Sequence, residues 1–196
     1  MRRVLLYVAA VSLVLFPALS QGATYAIDPE HSSIQFKVRH LMVSYVKGVF
    51  HKVQGVIDVD DKDITKSKVK VTIDTESINT GVTKRDEHLR SADFFDVIKY
   101  PTMTYVSKKV MKSGDGRLKV VGDLTLHGIT REVVLDVEGP SNEIKDPWGK
   151  FRRGTSALTS INRKDFGLTW NKALETGGVV VGDEVIINLE VEMIKD

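Results

Sequence analysis

Residues 184–193 read EVIINLEVEM, and this stretch decides the fold. Val185, Ile187, Leu189, Val191 and Met193 alternate with Glu184, Asn188, Glu190 and Glu192. Successive side chains of a strand point to opposite faces, so the alternation predicts a strand with one apolar and one wet face. The same pattern recurs upstream. Ile34, Phe36 and Val38 alternate with Gln35, Lys37 and Arg39, and Val69, Val71 and Ile73 alternate with Lys68, Lys70 and Thr72. Shorter versions occupy 53–59, 102–107, 117–126, 131–137 and 155–162. Each has ordinary strand length.

Turn-forming residues separate the runs: Asp60-Asp61, Ser113-Gly114-Asp115-Gly116, His127-Gly128, Gly139-Pro140 and Gly182-Asp183. Many strands at close spacing predict an all-β antiparallel sandwich or barrel. About eight strands closing on themselves leave an interior that side chains fill or that holds one small ligand. Closure also removes exposed sheet edges. One segment departs from the pattern. TKRDEHLRSADFF, residues 83–95, predicts a short helix from about 84 to 92, with Thr83 as cap and Asp86 and Glu87 in its first turn. Tyr100-Pro101 ends the connection, because proline disfavours a helical residue before it. The stretch 40–48 reads equally as a strand or one helical turn.

The chain opens on Met1, Arg2 and Arg3, followed by an apolar run from Val4 to Phe16 and then Pro17 and small residues. That order predicts a secretory signal peptide over residues 1–23, with a periplasmic product and no integral membrane anchor once it is removed. The run is shorter than the roughly 20 residues a spanning helix needs. A cut after Ser20 places Ala18 at −3 and fits better than one after Ala23. Residues 24–196 contain no repeat, linker or low-complexity tract and read as one domain. Residues 1–23 carry two of the 28 Lys and Arg and none of the 26 Asp and Glu, so the remainder holds 26 of each. A nucleic-acid binder is expected to show a basic excess, and this balance argues against one. The same neutrality does nothing to oppose a homodimer. With no cysteine, the fold must hold by its core and its hydrogen bonds.

Motifs for turnover are missing. No G-x-S-x-G elbow, dinucleotide fingerprint or phosphate loop occurs. The five histidines, His31, His40, His51, His88 and His127, lack metal-ligand spacing, so no metal or cofactor is expected. Arg85-Asp86 and Arg163 with Asp165 invite an acid–base reading, but such pairs also serve as structural ion pairs.

From Tyr25 onward the chain resembles the YceI-like family. The resemblance runs through Tyr25-Ala26-Ile27-Asp28, His31-Ser32, Phe36-Lys37-Val38-Arg39-His40, Gly48-Val49-Phe50 and Ser77-Ile78-Asn79-Thr80-Gly81. It continues with His88-Leu89-Arg90-Ser91, Asp93-Phe94-Phe95, Gly122 to Thr130, Asp165-Phe166-Gly167-Leu168, Trp170 and Val181-Gly182-Asp183. The resemblance implies a lipocalin-like, eight-stranded antiparallel β-barrel with one or two short helices. It also implies a long apolar pocket for a polyisoprenoid, an isoprenoid quinone or a fatty amide, in a periplasmic carrier or sequestering protein that is often dimeric. The candidate lining residues are Phe36, Val38, His40, Phe50, Phe94, Phe95, Met103, Tyr105, Phe166, Leu168 and Trp170. Phe94-Phe95 follows the helix and is a candidate entry gate, and His40 a candidate head-group ligand. Two other classes stay open at this point: an enzyme acting on an isoprenoid head group, and a stress-related interaction protein whose barrel core is solid.

Overall fold

The computed structural model describes residues 22–175 and 177–196. The expected signal peptide lies outside the described residues except for Gly22 and Ala23. Twelve strand segments join in one sheet. In chain order they are β1 (Ala23–Ile27), β2 (Ser33–His40), β3 (Ser44–Phe50), β4 (Val53–Val59), β5 (Lys68–Asp74), β6 (Ile78–Asn79), β7 (Thr102–Gly114), β8 (Arg117–Leu126), β9 (Ile129–Glu138), β10 (Ile144–Lys145), β11 (Phe151–Asn162) and β12 (Val181–Lys195).

The segments combine into eight antiparallel staves. β1 and β2 lie end to end along β12, with Ile27 opposite Met193 and Ile34 opposite Leu189. β3 and β4 run back along them as one bent stave, Phe50 opposite Ile34 and Ile57 opposite Tyr25. β5 and β6 form the third, Ile73 opposite Val53 and Ile78 opposite Phe50. β7, β8, β9 and β11 continue the meander, and β11 pairs with β12 from Arg152↔Ile194 to Asn162↔Glu184. Because β12 also pairs with β1 and β2, the sheet closes. The expected lipocalin-like, eight-stranded barrel is therefore correct.

The bends keep their hydrogen bonds. Between β1 and β2 the Asp28 N–H donates to the Glu192 carbonyl (2.9 Å), and the Ser32 hydroxyl accepts the Glu192 N–H (3.0 Å). A side chain thus replaces a missing rung of the ladder, as a buried backbone group requires. Elsewhere aromatic rings lie across glycines. A Cβ on Gly48 would meet the Phe36 ring at 2.4 Å, and one on Gly122 would meet Tyr105 and the Val106 carbonyl at 2.6 Å. These glycines let rings fold flat against the neighbouring stave.

Three local expectations need correcting or completing. Gly182-Asp183 is not a turn: it lies inside β12, where the register against β2 shifts between Val181 and Val185. A Gly182 Cβ would stand 2.9 Å from that of Arg39, so the glycine serves a close approach at a bulge. Thr83 is not a cap either. Helix α1 (Thr83–Arg90) starts after Val82, which makes no side-chain cap. Buried Asp86, from inside the first turn, instead accepts the Thr80 N–H (2.8 Å) and hydroxyl (2.5 Å). The ambiguous stretch 40–48 becomes a three-residue hairpin loop, Leu41, Met42 and Val43, the first two at positive φ, followed by β3.

Candidate ligand cavity

The parity of each stave decides what faces inward. On β12 the inward set is Val185, Ile187, Leu189, Val191 and Met193, the apolar face of the deciding stretch. On β5 it is Val69, Val71 and Ile73, and on β8 Leu118, Val120, Leu124 and Leu126. In a solid core these side chains would all be buried. Val185, Ile187, Leu189 and Val191 are instead only half-buried, as are Val69, Val71, Leu124 and Leu135. The barrel is hollow, with a cavity of about 260 Å³ that extends from Val59 and Pro140 at one end to Phe94, Phe95 and Leu168 at the other. An apolar cavity of about 150 Å³ already accepts benzene in a protein interior.

The few polar groups on the wall are largely spent on the protein. Thr155 and Thr159 donate to the carbonyls of Glu138 and Val134 (both 2.8 Å). The Tyr105 hydroxyl donates to the Val120 carbonyl (2.9 Å), and burial pushes its pKa up, keeping the phenol neutral. Arg163, almost fully buried, gives its guanidinium to the carbonyls of Gly182 (2.8 Å), Leu168 and Trp170 (3.0 Å), with Asp183 at 3.5 Å. Burial lowers its pKa and the Asp183 charge works the other way. These bonds tie the 163–170 segment to the start of β12, so Arg163 is a brace across one barrel end. Arg85 is similarly engaged, donating to the Thr80 hydroxyl (2.7 Å) and carbonyl (2.9 Å).

Of the candidate lining residues, Phe36, Val38, Phe50, Phe94, Phe95, Met103, Tyr105 and Leu168 reach the cavity. Phe36, Phe50 and Phe95 form a continuous ring path, with centroids 5.8 and 5.6 Å apart. His40, Phe166 and Trp170 are not on the wall. His40 is half-buried at the end of β2, opposite Val181. Phe166 is buried in the turn Arg163–Phe166, behind the wall. Trp170 packs on the outer side of Phe94 (5.2 Å) and edge-on to His88 (4.9 Å), so it backs the wall without forming it. The candidate list favoured aromatic residues and passed over the aliphatic ones that make most of the wall. Their signal was available in the alternation itself, since every inward residue of β12 belongs to one period-two face.

Among the described residues, a further cluster gathers groups that could ligate a metal. Asp28, His31 and Glu192 bring ligand atoms within 4.8 Å of one another. Arg152 already sits among them, its Nη1 2.6 Å from both Asp28 and Glu192 and its Nε 2.6 Å from Asp146. The guanidinium supplies the positive charge that a cation would bring. Burial alone would raise the Asp28 pKa, but the hydrogen bonds from Arg152, His31 and the Glu30 N–H together hold it down at about 2.

A model of the YceI-like domain matches residues 25–193. A UPF0312 protein of Vibrio cholerae is 42% identical over 170 residues, covering 86% of this chain and 89% of its own. The crystal structure of the Campylobacter jejuni YCEI protein is 36% identical, with a TM-score of 0.68 over 81% of this chain and 90% of that one. A polyisoprenoid binding domain from Saccharophagus degradans shares the fold, with a TM-score of 0.64 at 17% identity over 89% of this chain and 99% of that one.

Proposed function

The chain belongs to the YceI-like family, and from that premise we propose that it binds a long-chain amphiphilic lipid in the barrel and carries or sequesters it in the periplasm. The cargo is a polyisoprenoid, an isoprenoid quinone or a fatty amide. The observation that carries this reading is the hollow interior, walled by half-buried aliphatic side chains and about 260 Å³ in volume. Burying a methylene gains roughly 0.8 kcal/mol, so a dozen of them outweigh the ordinary costs of association. The wall has few unspent donors, so the tail enters and the polar head stays at an end of the barrel. The name of the Saccharophagus degradans domain, which shares this fold, agrees with an isoprenoid tail. Arg163 lines the cavity but its guanidinium is spent on backbone carbonyls, and Arg85 is bound to Thr80 away from the wall, which favours binding over turnover.

Mass spectrometry of an organic extract of the purified protein tests the reading. A co-purifying lipid with a long apolar tail is expected. Recovery of none, together with no binding of added prenols, quinones or fatty amides, refutes it.

A further inference from the structure

The hairpin of β10 and β11 leaves the barrel and presents its turn to solvent. Ile144 pairs with Arg152 and Lys145 with Phe151, and Trp148 stands at the tip, 81% exposed. Ile144 is 61% exposed and Phe151 42%. Contiguous exposed apolar surface marks interaction sites, and these three side chains share one short hairpin. The turn is firmly built. Asp146 accepts the N–H groups of Trp148 (2.9 Å) and Lys150 (2.8 Å) and the Arg152 Nε (2.6 Å). The Asp146 N–H donates in turn to the Lys150 carbonyl (2.8 Å), and Gly149 supplies the positive φ. Trp148 is therefore held out in water by a braced turn.

The hairpin's acids are held in ion pairs: Asp146 shares Arg152 with Asp28 and Glu192, and Glu143 meets Lys195 (2.9 Å) and accepts the Tyr25 hydroxyl (2.5 Å). Lys145 and Lys150 have no acidic partner among the described residues. Lys145 and Lys195 both lie over the Phe151 ring, at 5.7 and 5.5 Å. We propose that this hairpin docks the protein on an anionic lipid surface, Trp148 entering the headgroup region and the lysines meeting the lipid charge. Tryptophan, amphipathic and large, suits that interface, and lysine stems lie along apolar surface while their heads stay wet. A second copy fits the same tip poorly. A two-fold contact would set Lys145 and Lys150 against their own counterparts, and three side chains fall short of the ~800 Å² per partner of a stable interface. The inference concerns the outside of the barrel and stands whether or not the cavity holds a lipid.

Trp148 fluorescence tests it. In a Trp170→Phe variant of the full chain, Trp148 is the sole tryptophan. Vesicles of phosphatidylglycerol mixed with phosphatidylcholine should shift its emission to the blue and shield it from acrylamide, and added salt should reverse both. Phosphatidylcholine alone should do neither. Lys145→Gln with Lys150→Gln should weaken vesicle binding about 25-fold, at about fivefold per lysine, and Trp148→Ala should weaken it roughly tenfold. Far-UV circular dichroism checks that the variants are folded. Unchanged Trp148 emission on anionic vesicles overturns the proposal. So does a shift that is insensitive to the lysine changes, or one that follows protein concentration without vesicles.

Discussion

Replacing Leu189 by Phe separates a hollow barrel from a packed one by the sign of its effect. Leu189 faces inward on β12, half-buried, with Ala157 opposite on β11 and Ile34 opposite on β2. Phenylalanine adds three carbons on that side chain. In a close-packed core such an insertion forces strain and costs roughly 1–3 kcal/mol. Here the small Ala157 leaves room beside it, and the added carbons enter a cavity of about 260 Å³. At about 0.8 kcal/mol per carbon buried, ligand-free protein gains roughly 2 kcal/mol. For a domain of this size that raises Tm by roughly 4–8 °C. The same ring occupies space a tail would use, so lipid affinity falls by about the same energy, roughly thirtyfold. Urea unfolding of delipidated protein reads the first effect and lipid titration the second. Delipidation matters, because bound ligand stabilises the wild type by mass action. A loss of stability with unchanged lipid binding would falsify both the hollow interior and its use.

Three further outcomes are expected. Asp28→Asn should flatten the acid limb of the stability curve. The folded pKa of about 2 lies below the ordinary 3.8, so the ionised carboxylate contributes stability above about pH 4 that is lost as pH falls toward 2, and urea midpoints between pH 5 and 2 read it. Arg163→Met leaves the carbonyls of Gly182, Leu168 and Trp170 without their buried donor and should cost at least about 3 kcal/mol; limited proteolysis should then cut between 164 and 180. Asp86→Ala removes the acceptor of the Thr80 N–H and hydroxyl, and should cost about 1 kcal/mol by chemical denaturation.

Legibility in the sequence followed the range of the forces involved. The strands at 34–38, 69–73 and 185–193 were readable because pleat and burial act on neighbouring residues. So was the apolar face that became the wall. Gly182-Asp183 misled because a glycine marks a turn and a bulge alike, and the Arg39 contact that selects the bulge comes from another stave. Thr83 has the side chain of a cap, but Asp86 takes that role by reaching back from within the helix to Thr80. Trp170 and Phe166 are large and apolar like lining residues, but the segment braced by Arg163 presents Leu168 to the cavity instead of them.

The sequence by itself determined that the chain makes amphipathic strands and which side chains share each apolar face, since those are consequences of local geometry. Its similarity to a family supplied the expectation of closure. Tertiary structure alone decided that the faces enclose space. Whether Leu189, Val191 and Val71 meet one another or stand apart depends on the curvature of a sheet closed between β12 and the β1–β2 stave, some 160 residues distant in sequence. A period-two pattern is the same around a filled interior and an empty one.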